Sequence, residues 1–318
     1  MQGHQVTVFV AATYRQGVSV RILFFGLNYA PEQIGIGPYS QGIAEFLAAQ
    51  GHEVEVVAGN PYYPEWQARP GHHSYSDTME RGVSVWRCPH YVPAAPNGLR
   101  RIRHYLSFAW NALPVARRRS GVLRPDVVIA VTPALLAAPV ALIAAKRVGA
   151  STWLHIQDFE VEAALATGFL SGGLMARFAQ LFERFMLRSF DRVSSISSAM
   201  VAKAAACGVP RDRLCEIRNW AELDRVNPVV ATAAPGTALH DEVEGCGLTT
   251  PPGDPGALAA AVVTLMDDDA LRAEAGALAR QRALSRWSRQ AVLAGFANRL
   301  ENMVERQEAD FPVASLVR

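Results

Sequence analysis

Short apolar runs that alternate with helical segments constrain the fold of this chain more than any other feature. The run "VSVRILFFGL" at residues 18–27 is followed by a glycine-containing loop, an amphipathic segment at residues 39–50 and a second apolar run, "GHEVEVVAG". The alternation continues through "RPDVVIAVTP", "STWLHIQ" and "DRVSSIS". Strands that alternate with helices in this way predict a doubly wound parallel sheet of about six or seven strands, with helices on both faces.

Composition restricts the classes of protein that need to be considered. With 318 residues, of which 50% are hydrophobic and 19% charged, the chain is ordinary globular material and long enough for two domains. Its four cysteines are scattered without a Cys-x-x-Cys pair, so we expect reduced thiols, no zinc site and a cytoplasmic location. We interpret residues 1–17 as an extension rather than a signal peptide or a spanning helix, because they lack a basic start and a long apolar stretch.

The loop after the first apolar run contains Gly35 and Gly37 in the stretch "NYAPEQIGIGPYS". A glycine loop between a strand and a helix can present backbone N–H groups to a phosphate, but the same pair also serves as a plain turn. A dinucleotide-binding oxidoreductase would need a third glycine where Ser40 stands. It would also need an acidic residue at the end of the second strand, where the chain has Gly59, Asn60 and Pro61. Both requirements fail, so the sequence disfavours that class.

Several long motifs occur in an order that identifies a family resemblance. The stretch "GLNYAPEQIGIGPYSQGIAEFLAAQGHEVEVVAGNPYYPEW", followed by "GVSVWRCPHYVP", "WLHIQDFEVEAALATGFL" and "IRNWAELD", resembles family 4 retaining glycosyltransferases of the GT-B fold. The similarity is greatest to the branch of colanic acid biosynthesis glycosyltransferases. It implies transfer of a sugar from a nucleotide-sugar to a growing lipid-linked saccharide, with retention and without a metal or other cofactor. The loop of Gly35, Ile36 and Gly37 would then face ligand near the donor phosphates.

Two further stretches supply candidate site residues. His155 lies at the end of a predicted strand, the edge where ligands gather in open α/β sheets, and the resemblance places the matching histidine beside the donor sugar. A buried core histidine is the alternative. Asp158 follows in the next loop, whereas we interpret Glu160 as a solvated charge at a helix start. Either an acceptor groove or a packed loop accounts for the aromatic and acidic side chains of "NPYYPEW", which are Tyr62, Tyr63, Glu65 and Trp66.

In residues 99–119, arginines are interleaved with apolar and aromatic residues. The six arginines are Arg100, Arg101, Arg103, Arg117, Arg118 and Arg119. Such a segment suits the anionic cytoplasmic surface of the inner membrane, where a lipid-linked ligand would be met, but an ordinary helix with a solvated basic face has the same pattern. We do not expect nucleic acid as a partner, because no recognised binding module accompanies these charges.

An acidic run at residues 267–269 precedes a helical segment. We interpret these aspartates as a helix cap with favourable charge at the helix start, so no metal site is predicted there.

The second half of the chain departs from the family pattern. We predict an acceptor-side Rossmann-like domain at residues 18–219 and a truncated, mostly helical donor-side domain at residues 220–318. No Glu-x7-Glu pair of the family pattern and no basic pair occur between Asn219 and Thr237, so a block on the order of 100 residues is missing there when judged by usual domain size. Stabilisation of the departing diphosphate would be weakened by that loss.

This departure leaves three functions open. They are an active glycosyltransferase, a catalytically deficient remnant that binds acceptor or membrane only, and an unrelated nucleotide-binding enzyme. We predict that residues 229–318 form a small, mostly helical appendage of low stability and poor solubility, and that the chain has no measurable nucleotide-sugar turnover. Its strand "VVATA" would pair with "GLTT", attach to the edge of the first sheet or stay partly exposed.

Overall fold

The structure is a computed structural model that describes residues 19–69, 71, 73–161, 173–221 and 226–310, without the side chains of residues 307–310. It divides into two compact units. Of the described residues, the first unit contains residues 19–217 and 296–310, and the second contains residues 218–295. The interpretation of residues 1–17 falls outside the described residues. Within the described ranges, no helix combines the length and apolar character that crossing a bilayer requires.

One sheet of eight strands forms the centre of the first unit, in the order β3-β4-β2-β1-β5-β6-β7-β8. The strands are β1 (Arg21–Gly26), β2 (Glu53–Gly59), β3 (Ser76–Glu80), β4 (Val83–Cys88), β5 (Val127–Thr132), β6 (Ser151–Ile156), β7 (Arg192–Ser195) and β8 (Leu214–Glu216). All neighbouring strands are parallel except β3, which pairs antiparallel with β4 at the edge. The predicted doubly wound parallel sheet is confirmed, with eight strands where about six or seven were predicted. The five apolar runs correspond to β1, β2, β5, β6 and β7, and they did not include β3, β4 and β8.

Helices cover both faces of this sheet. They are α1 (Gly37–Ala49), α2 (Gly98–Leu123), α3 (Ala138–Val148), α4 (Leu174–Arg188), α5 (Ser198–Ala206) and the later part of α9 (Arg289–Asp310). Side chains of α2, α3, α4 and α5 share one apolar core with alternate residues of the strands, including Phe108, Ala141 and Met186. These four helices therefore form a layer on the same face of the sheet.

The opposite face receives the last helix. The ring of Phe296 on α9 stacks on Trp153 of β6 with centroids 4.9 Å apart, and both side chains are buried. Further along α9, the Glu301 carboxylate lies 3.3 Å from Nε2 of His52, whose Nδ1 accepts a hydrogen bond from the Val20 N–H. An apolar stack and a polar contact therefore hold α9 on the first sheet.

The second unit is small and mostly helical. It contains β9 (Val229–Thr232), β10 (Gly247–Thr250), α6 (Ala238–Val243), α7 (Pro255–Asp267), α8 (Asp269–Trp287) and the first residues of α9. Strand β9 pairs in parallel with β10, the first of the three arrangements that the sequence left open. The Asp268 side chain accepts a hydrogen bond of 2.9 Å from the Leu271 N–H, which confirms the predicted cap.

Candidate active site

The carboxyl ends of the central strands bring the candidate loops to one edge of the sheet. Strand register aligns His155 on β6 with Val131 on β5, and Val131 with Gly26 on β1. Neighbouring strands lie about 4.8 Å apart, so the end of β6 is two strand spacings from the start of the glycine loop. Because the strands are parallel, the loops after β1, β2, β5 and β6 all leave the sheet at this edge, where ligands of such sheets bind.

Both glycines of the loop after β1 are required by the backbone. Gly35 has a φ of +71°, and a Cβ added there would lie 3.2 Å from Cε1 of Tyr63. Gly37 begins α1, and its Cβ would lie 2.9 Å from Cβ of Glu32 and 3.0 Å from the Glu32 carbonyl oxygen. Ile36 lies between them and is half-buried. The loop is thus a tight turn that packs on Tyr63, and it exposes its backbone at Gly35.

A buried carboxylate joins the glycine loop to the loop after β2. Oε1 of Glu32 accepts hydrogen bonds of 3.1 Å from the backbone N–H groups of both Tyr62 and Tyr63. Its Oε2 accepts a 2.9 Å bond from Nδ2 of Asn28. Burial raises the pKa of Glu32, while these three donors oppose the rise. Sequence reasoning missed Glu32 because its role depends on a contact between distant segments.

The four predicted groove residues divide into packed and accessible side chains. Tyr62 is buried, and its ring meets that of Trp66 edge-on with centroids 5.3 Å apart. Tyr63 and Trp66 are half-buried, and Glu65 is exposed. The Arg101 guanidinium lies 5.4 Å above the Trp66 ring. The stretch is therefore a packed aromatic loop that still presents Tyr63, Glu65 and Trp66 beside the glycine loop.

Two histidines lie among these aromatic rings. The rings of His90 and His104 are 4.8 Å apart, and each also packs edge-on against Tyr62. Nδ1 of His104 lies 2.5 Å from the Tyr91 carbonyl oxygen and therefore donates to it. Burial is the main cause that lowers the pKa of His90 to about 3 and that of His104 to about 4, so both are neutral near pH 7. Sequence reasoning did not select them, since neither belongs to a metal or catalytic spacing.

His155 lies at the predicted edge, but its side chain is not accessible. Nδ1 donates a 2.8 Å hydrogen bond to Oγ of Ser194, and Nε2 accepts a 3.0 Å bond from the Gln157 amide. Phe296 packs edge-on against the ring, and burial lowers the pKa of His155 to about 4. These are the contacts of the satisfied core histidine that the sequence left as the alternative. The imidazole is therefore too buried to contact a ligand directly. It can influence a site only by positioning the end of β6 and the residues around it.

The two acidic residues that follow β6 differ in their surroundings: Asp158 is exposed, whereas Glu160 is held by hydrogen bonds. Asp158 is exposed, as a ligand-facing carboxylate requires. The interpretation of Glu160 as a solvated charge is wrong. Its two oxygens accept hydrogen bonds of 2.9 and 2.7 Å from the N–H groups of Ala134 and Leu135, where the segment before α3 begins. Burial raises the pKa of Glu160, and its hydrogen bond with Tyr105 ties α2 to the same edge.

One of the six arginines predicted to form a basic membrane surface, Arg119, is not part of the exposed surface. Arg119 donates hydrogen bonds to both oxygens of Glu55, at 2.5 and 2.7 Å, and its guanidinium lies 4.3 Å above the Trp86 ring. It is therefore a structural residue that joins α2 to β2 and β4. The other five side chains are exposed on α2, and they are Arg100, Arg101, Arg103, Arg117 and Arg118.

Comparison with known proteins assigns this arrangement to a family. Residues 35–220 match the family described as Glycosyl transferase 4-like domain. The chain belongs to this glycosyl transferase 4-like family. Over 215 residues it is 43% identical to the Escherichia coli (strain K12) protein WcaI, described as a colanic acid biosynthesis glycosyl transferase. The match covers 66% of this chain and 52% of WcaI, so this member of the family spans about half the length of that curated relative.

Solved structures confirm the GT-B fold class for this glycosyl transferase 4-like chain. Sucrose-phosphate synthase (tll1590) from Thermosynechococcus elongatus superposes with a TM-score of 0.63 at 10% identity, over 90% of this chain and 100% of that one. Anabaena Alr3699/HepE, solved in complex with UDP-glucose, gives a TM-score of 0.53 at 13% identity, over 89% of this chain and 100% of that one. Identities this low carry the fold alone.

Proposed function

We propose that this chain transfers a sugar from a nucleotide-sugar to a lipid-linked saccharide, with retention, in exopolysaccharide synthesis of the colanic acid type. Membership of the glycosyl transferase 4-like family over residues 35–220 is the observation that carries the proposal. The 43% identity to WcaI supports the pathway class. The reaction needs no metal in this proposal, and among the described residues no group of three or more histidine, cysteine or acidic side chains is arranged to hold one.

The loops at the carboxyl edge receive distinct roles in this reaction. The backbone of Gly35, Ile36 and Gly37 opens α1, and N–H groups at a helix start favour the negative charge of a donor diphosphate. Tyr63, Glu65 and Trp66 line the acceptor side, where aromatic rings and a carboxylate suit sugar faces and hydroxyls. Asp158 accepts a hydrogen bond from a reacting or neighbouring hydroxyl. His155 is a positioning residue that fixes the end of β6 through Ser194 and Gln157.

We place the reaction at the cytoplasmic face of the inner membrane, with the chain bound peripherally. On α2, Leu99, Ile102, Leu106 and Trp110 are exposed at helical spacing. The exposed arginines of the same helix add positive charge beside them. Such a face attracts anionic headgroups, and a lipid-linked acceptor would be met at that surface.

A second candidate function is binding of acceptor or membrane without turnover. It is favoured by the size of the second unit, whose described residues form one two-stranded sheet and a few helices. Cationic and N–H donors that face a departing diphosphate are commonly worth several kcal/mol each, so a shortened donor side lowers the rate steeply.

One set of measurements separates the two functions. The full chain is incubated with UDP-glucose and a panel of other nucleotide-sugars, and with a detergent-solubilised lipid-linked saccharide as acceptor. Product formation that EDTA leaves unchanged and that Asp158→Asn lowers about 100-fold supports the first function. Asp267→Asn, which changes an exposed aspartate of α7, is the matched control and should retain full activity. Binding of acceptor or of anionic vesicles without product supports the second function. The absence of product and of both kinds of binding would overturn both functions.

A further inference from the structure

The outer face of α4 exposes an unusual number of large apolar side chains. Their exposed fractions are 85% for Leu174, 63% for Met175, 69% for Phe178, 63% for Leu181 and 66% for Phe185. With 3.6 residues per turn, these positions form one stripe along the helix. Ala176, Glu183 and Leu187 are buried and lie on the opposite side of the helix. Scattered exposed apolar residues are normal in proteins, but a continuous stripe of this length marks an interaction surface.

Positive charge follows one edge of this stripe. Arg177, Arg184 and Arg188 are exposed, and at 3.6 residues per turn all three fall on the same side of the apolar positions. Glu183 is the helix's one acidic residue, and it is buried on the inner face. The exposed surface of α4 is therefore apolar and cationic, and no carboxylate of the helix balances its arginines.

We propose that the exposed face of α4 docks on an anionic lipid bilayer surface. A helix with an apolar stripe and an arginine edge lies in the interface plane, with its apolar side chains among the acyl chains and its cations among the headgroups. A second copy of the chain is a poorer occupant, because its own α4 would bring three more arginines and no exposed carboxylate to the contact. The charge of the face thus selects a negatively charged surface.

The position of α4 in the fold fits this docking. The helix follows β6, whose carboxyl end lies at the proposed site, and it belongs to the same helix layer as α2. Burial raises the pKa of Glu183 on the inner face of α4, and the Glu160 carboxylate, which lies at this edge, adds to the rise. This inference rests on the proposed function in one respect, that the acceptor is carried on a lipid. It adds a second membrane-facing helix to the one that the arginines of α2 indicated.

The test measures sedimentation of the full chain with vesicles of phosphatidylcholine alone and of phosphatidylcholine with phosphatidylglycerol. We expect binding to the anionic vesicles that weakens as salt is raised. Phe178→Ser/Phe185→Ser should lower the apparent affinity about tenfold or more, since binding scales with the buried apolar area. Replacement of Arg177, Arg184 and Arg188 by Gln should cost about fivefold per arginine and reduce the salt dependence. The matched control is Leu278→Ser/Leu284→Ser on α8, which removes two exposed leucines and should bind as the unmodified chain does.

Several outcomes would overturn the docking proposal. They are equal binding to neutral and anionic vesicles, no vesicle binding by the unmodified chain, and unchanged binding by Phe178→Ser/Phe185→Ser. A dimer in solution that this double variant converts to a monomer would identify a second copy as the occupant instead. Circular dichroism and urea unfolding establish that the variants are folded. Turnover with a detergent-solubilised acceptor does not require the bilayer, so loss of docking with turnover retained separates this inference from the proposed function.

Discussion

Glu32 and Tyr62 are joined by a 3.1 Å hydrogen bond from the Tyr62 N–H to Oε1 of Glu32, although 30 positions separate them in the chain. The same oxygen also accepts from the Tyr63 N–H. Since Glu32 belongs to the glycine loop and Tyr62 to the aromatic loop, one carboxylate sets the distance between the proposed donor and acceptor sides of the site. A buried group with three donors is also costly to remove, because the donors lose their acceptor.

We therefore expect Glu32→Ala to destabilise the chain and loosen both loops. The loss should be about 2 to 3 kcal/mol in the free energy of unfolding, since a buried donor left without a partner costs about 1 to 3 kcal/mol. Glu32→Gln keeps one carbonyl oxygen and should lose less. Urea unfolding measures the stability, and amide exchange at Tyr62 and Tyr63 reports the loop. Unchanged exchange at both amides in Glu32→Ala would contradict the connecting role.

The pair formed by Arg119 and Glu55 leads to a second prediction. Both side chains are largely buried, and the guanidinium also packs on Trp86. Arg119→Ala leaves the Glu55 carboxylate buried and unpaired, so we expect a loss of about 3 to 5 kcal/mol in the free energy of unfolding. Arg118→Ala, an exposed neighbour, should change it by less than about 0.5 kcal/mol. A double-mutant cycle with Glu55→Ala measures the coupling, and additive losses would show that the two side chains act independently.

The difference between the exposed arginines of α2 and the largely buried Arg119 also predicts how each affects vesicle binding. Arg117→Gln/Arg118→Gln removes two exposed charges and should weaken binding to anionic vesicles by about fivefold per arginine, more at low salt than at high salt. Arg119→Lys keeps the charge and should leave binding unchanged. If the double variant binds as the unmodified chain does, the exposed arginines of α2 are only a solvated face.

The fold could be predicted where burial leaves a periodic pattern. Strands β1, β2, β5 and β6 are buried along nearly their whole length, so each appears in the sequence as a largely apolar run. Strand β3 is exposed over most of its residues and has no such run, because an edge strand is stabilised by pairing with β4 rather than by burial. Strand β8 has only three residues, too few to show a period.

The site was predictable at the level of loops and much less at the level of side chains. Parallel strands require that the glycine loop and the aromatic loop leave the same edge, and the structure packs Gly35 on Tyr63. The burial of His155 depends on Phe296, which lies far along the chain and which no local pattern connects to β6. Trp153 gives the only local hint, since side chains two apart on a strand share a face.

Buried histidines predict a pH dependence of stability. Burial lowers the pKa of His155 and His104 to about 4, below the value near 6.5 of an unfolded chain. The unfolded state therefore binds more protons between these values, and stability falls as the pH drops from about 6.5 towards 4. We expect a loss of about 1 to 2 kcal/mol per buried histidine between pH 7 and pH 5. Urea unfolding at several pH values measures it, and His155→Gln should reduce the slope. Imidazole NMR signals that titrate near pH 6.5 for both residues would contradict their neutral burial.

Glu183 predicts that stability changes with pH in the opposite direction, falling as the pH rises. This provides an independent test of the packing of α4. Burial is the first cause that raises the pKa of Glu183 to about 7, the nearby Glu160 carboxylate adds to the rise, and Arg184 opposes it. The folded state therefore binds more protons than the unfolded chain above about pH 4.5, and the stabilisation that protonated Glu183 provides is lost as the pH rises through 7.

Glu183→Gln keeps the shape of the side chain and cannot ionise. It should lie close to the unmodified chain at pH 5 and exceed it by about 2 to 3 kcal/mol in the free energy of unfolding at pH 8, since the pKa rises from 4.5 to about 7 and one pKa unit corresponds to about 1.4 kcal/mol. Glu274→Gln on α8, where the side chain is exposed, is the control and should show no such difference. If Glu183→Gln gains nothing between pH 5 and pH 8, the carboxylate is solvated. The inner face of α4 would then not be buried as described, and the apolar stripe on its outer face would have to be reassigned with it.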